Sequence, residues 1–247
     1  ILLKHGMTSC DGIGTPMATK HLDADLNGTP IDQTKYDSKA GALMYLTSSR
    51  PYIMHATCYC TRYQAQPTEK HLTAVRRIFW YLKDTIHMGL WYPKDTGLEL
   101  TAFSDLDHAS CLDSRKSTSG GIQFLGCDKL VSWSSKKQDC TSMSSAEAEY
   151  VSLSECCAQV LWMRTQLTDY GFHFDKIPMY YDSKAAIAIS CSIRVPSTST
   201  SAITSSKRMS KNVTPPNIYI AAEYNIGVLL HNTGSRVAVN DFKRNVY

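Results

Sequence analysis

The sequence contains no apolar run approaching the roughly 20 residues that a membrane-spanning helix needs, so no helical span is expected. It also lacks the charged segment and short apolar core of a secretory leader, and it begins at Ile1 rather than methionine, which reads like a cut from a longer chain. Paired Cys-x-x-Cys spacing is missing as well. The nine cysteines (Cys10, Cys58, Cys60, Cys111, Cys127, Cys140, Cys156, Cys157 and Cys191) are odd in number, with few histidines placed to complete a zinc site. They are expected to be reduced, mostly buried thiols of an intracellular protein. Without a leader, Asn27-Gly28-Thr29 and Asn212-Val213-Thr214 are chance matches to the glycosylation pattern. Neither sign of charge dominates: 26 basic against 22 acidic residues leave a net charge of +4, compatible with a phosphate-rich partner without demanding one. With 43% hydrophobic residues over 247 positions, the chain can bury a sizeable core.

What is present is organised in blocks. Turn signals at Asp11-Gly12, Gly14-Thr15-Pro16 and Asn27-Gly28-Thr29-Pro30 precede a small-residue apolar run, Gly41 to Leu46, which reads as part of a short helix. After Pro67, the residues Leu72, Val75, Phe79 and Leu82 recur at helical spacing, predicting an amphipathic helix over 68–84. Beyond Gly97 the period changes to two: Leu98, Leu100 and Ala102 alternate with Glu99 and Thr101 up to Asp105. Strands are predicted at Gly121 to Leu125 and Leu130 to Ser134, around a Gly126-Cys127-Asp128 turn. A long helix over 145–169 follows, then a short strand at Met179-Tyr180-Tyr181 and a helical stretch to Ser190. The order is that of an α/β fold built on a mixed sheet. Residues 192–216 are crowded with serine, threonine and proline and are expected to be disordered.

Three carboxylates occupy positions that can converge at one sheet edge: Asp105 ending the first strand, Glu147 in the first turn of the long helix, and Asp182 after the fourth strand. Clustered carboxylates repel one another unless a cation neutralises them, and Mg²⁺ favours oxygen ligands while keeping waters. Two such ions can drive in-line phosphoryl transfer, so the set suggests phosphodiester hydrolysis. Each residue has a plainer role beside this one. Ser144-x-x-Glu147 is a capping box, which the residues alone favour; Asp182-Ser183 fits an ordinary helix start, and Asp105 with Asp107 fits a strand-ending turn.

The blocks Phe103-Ser-Asp-Leu-Asp-His-Ala109, Ser117-Thr-Ser-Gly-Gly121, Val131-Ser-Trp-Ser-Ser-Lys-Lys-Gln138 and Ser144-Ser-Ala-Glu-Ala-Glu-Tyr150 resemble the ribonuclease H region of plant copia-type retrotransposon Pol. The resemblance continues through Leu161 to Arg164 and Tyr181 to Ala188. It extends backward through Gly41 to Pro51 and Arg76 to Lys83, which resemble the end of a reverse transcriptase. It implies a reverse transcriptase remnant at 1–97, mainly helical, and a ribonuclease H-like domain at 98–191. Such a domain cuts the RNA strand of RNA:DNA hybrids using two Mg²⁺ (or Mn²⁺) ions. Asp105, Glu147 and Asp182 would hold them, and Arg115, Lys116, Lys136 and Lys137 would meet the nucleic-acid backbone. The order Asp, Glu, Asp fits a ribonuclease rather than an integrase. Asp23 and Asp25 lie in a polar turn and do not match the polymerase's catalytic pair. His108 and Ser110 depart from the family's usual aromatic residue and glycine.

From residue 192 the resemblance breaks, leaving an aberrant tail over 192–247. When the family's Arg-Thr-Lys-His-Ile-Asp-Ile-Arg-Tyr-His-Phe-Ile-Lys-Glu segment and the two residues after it are written in suitable codons and read one base later, they yield Val-Pro-Ser-Thr-Ser-Thr-Ser-Ala-Ile-Thr-Ser-Ser-Lys-Arg-Met, which is 195–209 here. A frameshift is inferred. Ile218-Tyr219-Ile220 and Glu223-Tyr224 look again like an in-frame strand, with Val228 where the family's fourth carboxylate would stand. The expected protein is therefore an impaired nuclease inside a larger Pol polyprotein, in a cytoplasmic particle or the nucleus; the alternative is an inactive fragment of a decayed element.

Overall fold

The computed structural model describes residues 1–7, 11–18, 22–94, 97–126, 129–181 and 218–222. They form two compact units. Ile1–Trp91 with Ser110–Arg115 make the first; Tyr92–Ala109 and the described residues from Lys116 onward make the second. The six residues Ser110–Arg115, on the connection between two strands of the second unit, thus pack with the first.

The first unit is helical: α1 (Gln33–Leu46), a 3-10 turn (Pro51–Ile53) running into α2 (Met54–Thr61), and α3 (Glu69–Asp84). Asp32 starts α1 by accepting the Thr34 amide at 2.9 Å, and the small-residue run at 41–46 is that helix's second half. The helix expected over 68–84 is α3. Its apolar stripe buries Leu72, Val75, Ile78 and Phe79 against Tyr36, Leu43, Ile53 and Tyr59. The tyrosines bring hydroxyls inward, and these are satisfied. Tyr36 donates to the Cys60 carbonyl at 2.8 Å and Tyr63 to Asp113 at 3.0 Å; burial raises the pKa of both hydroxyls.

The start of α3 is tied to the turn at 22–30. The Thr68 amide donates to His71 Nδ1 at 3.1 Å, which leaves Nε2–H to donate to the Asp23 carbonyl at 2.7 Å. Thr68 Oγ1 donates to Asp25 at 2.7 Å, while Lys70 pairs with Asp23. Asp25 adopts φ +47°, and a Cβ on Gly28 would sit 1.9 Å from its carboxylate, so a side chain there would displace the carboxylate that Thr68 donates to. Asp23 and Asp25 are therefore structural supports of a helix start.

The second unit is a mixed sheet of β1 (Leu100–Asp107), β2 (Thr118–Leu125), β3 (Lys129–Lys137), β4 (Ile177–Tyr181) and β5 (Ile218–Ala222), with α4 (Ser145–Asp169) against it. The strand order is β3-β2-β1-β4-β5. The first three strands run antiparallel to their neighbours, while β1 with β4 and β4 with β5 are parallel. This is the expected ribonuclease H-like α/β arrangement, with β1 at the centre. Leu100, Ala102, Ile177 and Met179 meet Leu153, Cys156, Cys157 and Val160 of α4 in its core. The strand at 218–222 stands within the aberrant tail, just past the 192–216 stretch for which disorder is expected, and includes the Ile218-Tyr219-Ile220 read as an in-frame strand. The rest of the tail, the helix expected up to Ser190 and the frameshifted run lie outside the described residues. Among the described residues, no helix is long and apolar enough to cross a membrane.

Candidate active site

Alternation along β1 sorts its side chains between the two sheet faces. Ser104 Oγ lies 3.0 Å from Ser152 Oγ of α4, and Leu100 and Ala102 share the α4 core, so even positions face the helix. Phe103 stacks on Tyr180 (5.0 Å, 17°) and meets Phe124 edge-on (5.8 Å, 87°) on the other face. Asp105 and Asp107, both half-buried, follow Phe103 on that face at the strand's C-terminal end. The Asp105 backbone carbonyl accepts from Ser152 Oγ at 2.8 Å, which fixes α4 against this point of the strand.

Register places the basic residues. Asp107 lies opposite Thr118, and Thr118 opposite Lys137, so Lys137 shares the carboxylates' face. Lys136, opposite Ser119, is on the α4 face, where its Nζ lies 3.7 Å from Glu155. Lys116 Nζ donates to the Asp139 carbonyl at 2.6 Å. Arg115 has φ +52° and packs with the first unit. Within the sheet unit, Lys136 and Lys137 thus lie on opposite faces.

Glu147 is exposed and engaged in the helix start. Its amide donates to Ser144 Oγ at 3.2 Å and its carboxylate accepts from the Met143 amide at 2.7 Å, a variant of the capping box that the sequence suggested. Glu149, passed over in the sequence reading, is placed differently. It precedes Ser152, Leu153 and Cys156 by three, four and seven positions, which sets it on the sheet-facing stripe. Gln138 marks its level: the side-chain amide donates to the Ala148 carbonyl (2.8 Å) and to Ser119 Oγ (3.0 Å), and Ser119 lies opposite Leu106. Further along α4, Cys156 Sγ approaches the Phe103 carbonyl at 3.6 Å. The helix therefore runs antiparallel to β1, and Glu149 is level with Asp105 to Asp107. The same helical spacing from Leu153, Val160 and their neighbours was readable in the sequence.

Glu149 Oε2, Asp107 Oδ2 and Gln138 Oε1 are buried oxygens without hydrogen-bond partners. A buried carboxylate oxygen with no donor costs free energy that a cation would offset, and an all-oxygen donor set suits a hard divalent ion. Among the described residues no group of three His, Cys, Asp or Glu side chains is placed to hold a metal ion. Asp182 directly follows the last residue of β4 and lies outside the described residues. Burial pushes the Cys156 and Cys157 thiols up to about 12, which keeps them protonated at neutral pH. All six described cysteines are free, and only Cys140 is exposed.

The chain is 35% identical over 192 residues to the retrovirus-related Pol polyprotein from transposon RE1 of Arabidopsis thaliana, which covers 77% of this chain and 13% of that protein. It is 36% identical over 162 residues to an uncharacterised mitochondrial protein of the same plant, covering 66% of this chain and 67% of the relative. The chain thus spans about an eighth of the RE1 polyprotein. No family model matches. Among solved structures, ribonuclease H1 of Halobacterium salinarum aligns over 58% of this chain and 98% of its own, at 14% identity and a TM-score of 0.33. That fit is loose, and the fold assignment rests on the strand order and directions of the sheet itself.

Proposed function

Because the chain belongs to the retrotransposon Pol polyprotein family, we propose that its ribonuclease H-like unit is the hybrid-cutting part of a copia-type Pol, hydrolysing the RNA strand of RNA:DNA hybrids. One observation carries this reading. Asp105 and Asp107 end the central strand on the face away from α4, at the level where α4 sets Glu149 on the other face, and Asp107 and Glu149 keep buried oxygens unpartnered. Asp105, Glu149 and, from the family pattern, Asp182 would hold Mg²⁺ or Mn²⁺. When bound, such ions supply an activated water and stabilise the leaving oxygen. Glu147 serves the helix start instead. Lys137, on the carboxylate face, would meet a backbone phosphate, and selectivity for hybrids would need contacts to 2′-hydroxyls.

A second reading is an inactive remnant, favoured by the inferred frameshift over 195–209. The deciding experiment is Mg²⁺- or Mn²⁺-dependent cleavage of an end-labelled RNA:DNA hybrid by the whole chain, by Asp105→Asn and by a version with the family tail restored. Cleavage by the chain but not by Asp105→Asn supports the nuclease. If only the tail-restored protein cuts, the chain itself is the inactive remnant.

A further inference from the structure

Gln138 follows the last residue of β3 and is only 2% exposed. Its backbone amide donates to the Ser117 carbonyl at 2.9 Å, which carries the β2–β3 ladder one step past the Thr118 and Lys137 pair. Alternation then turns the Gln138 side chain away from the Lys137 face and toward α4. There its amide nitrogen donates to Ser119 Oγ at 3.0 Å and to the Ala148 carbonyl at 2.8 Å. A carbonyl can only accept, so the Ala148 contact fixes which end of the amide is nitrogen. Both of its N–H donors are used. Oε1 is buried and has no hydrogen-bond partner among the described residues.

This bracket meets α4 at a particular point. Ser152 pins the helix to β1 by donating to the Asp105 carbonyl at 2.8 Å, and Gln138 pins it to β2 through Ala148. Glu149 lies between the two pins. With Ser152 alone, the first turn of α4 could roll or tilt; the second pin sets the level and face at which Glu149 meets the sheet. Stability accounts for only part of this. Inside a helix the Ala148 carbonyl is offered to the amide four positions on, so the bond from Gln138 is additional. Methionine at 138 would fill a similar volume and leave no buried acceptor unmet.

The unmet oxygen has company. Asp107 Oδ2 and Glu149 Oε2 are also buried without hydrogen-bond partners at this end of the sheet. Acceptors without donors complement a hydrated divalent ion: carboxylates meet the metal, and its waters bring protons that an amide oxygen can accept. We propose that Gln138 is a positioning residue of this site, its side-chain nitrogen clamping the first turn of α4 to β2 so that Glu149 is aimed, and its Oε1 accepting from a water of the bound ion. A neutral amide suits that task, because it orients water without adding to the repulsion between carboxylates. The inference rests on the metal-dependent reading of the second unit and adds to it a side chain that is no carboxylate.

The test uses the whole chain, with Mn²⁺ binding followed by electron paramagnetic resonance. Gln138→Met binds Mn²⁺ about tenfold more weakly, with no fall in melting temperature in chelator. Ser119→Ala, which removes one anchor of the amide and keeps its oxygen, weakens binding less. In the unaltered protein the Gln138 side-chain amide resonances shift on saturation with Mg²⁺, a readout that needs no variant to fold. Unchanged Mn²⁺ affinity in Gln138→Met, with or without a lower melting temperature, makes Gln138 a tether of the fold only and overturns the proposal, while the metal-dependent reading stands. Amide resonances indifferent to bound Mg²⁺ overturn the role of Oε1. An unaltered chain that binds neither ion overturns the metal-dependent reading and the proposal with it.

Discussion

The two units bury different kinds of polar group. In the helical unit, buried tyrosine hydroxyls reach carbonyls or a carboxylate, and the buried Lys39 ammonium donates to the His5 carbonyl. In the sheet unit, α4 and the sheet meet through small or polar side chains (Ser104, Ser152, Gln123, Cys156), and the unmet groups are acceptor oxygens at one end: Asp107, Gln138 and Glu149. Unpaired buried groups cost free energy wherever they occur, and a cation would offset the acceptor oxygens of the second unit.

The contrast can be broken most forcefully in the helical core. Phe79 is fully buried, and Phe79→Ala should cost the first unit about 3–5 kcal/mol in denaturant unfolding. Next, Glu149→Met in the presence of a chelator should raise the stability of the second unit by roughly 1–3 kcal/mol, since it removes a buried oxygen with no donor, and should erase any Mg²⁺-dependent rise in melting temperature. Destabilisation by Glu149→Met in chelator would show that the carboxylate is satisfied. Ser144→Ala should cost about 1 kcal/mol through the lost cap of α4. Glu147→Gln should leave hybrid cleavage, where present, unchanged.

The smallest effect concerns pH. The hydrogen bond from Lys70 holds the Asp23 carboxyl below its usual value. A depressed folded pKa means that the pair's contribution is complete above the ordinary carboxylate pKa, about 4, and is lost as pH falls through it and then through the lower folded value. Both side chains are substantially exposed, so the loss is slight. Asp23→Asn should flatten the stability of the first unit between neutral and acid pH. An unchanged slope would remove the pair from the account.

The elements whose periodicity is strong were legible in the sequence. The stripe of α3, the cap and length of α4, and the alternation opening β1 all follow from local spacing. The octapeptide Met54–Thr61 was not legible, because it has no apolar stripe and is held as α2 by packing between Tyr36 and Tyr63. β1 runs two residues past Asp105 because Leu106 and Asp107 still pair with Ser119 and Thr118, a long-range fact. Glu147 and Glu149 are two residues apart in one motif, and a side chain's face depends on where the helix docks. The spacing from Leu153 and Val160 puts Glu149 on the apolar stripe, and the Ser152 to Asp105 contact shows which strand end that stripe meets.

The most direct test of the central claim is Mn²⁺ binding to the whole chain, followed by electron paramagnetic resonance or water-proton relaxation. The account predicts saturable binding that Asp105→Asn and Glu149→Gln each weaken about tenfold or more, as expected for loss of a ligand or its support, while Glu147→Gln leaves it unchanged. Binding weakened by Glu147→Gln and indifferent to Glu149→Gln would contradict it.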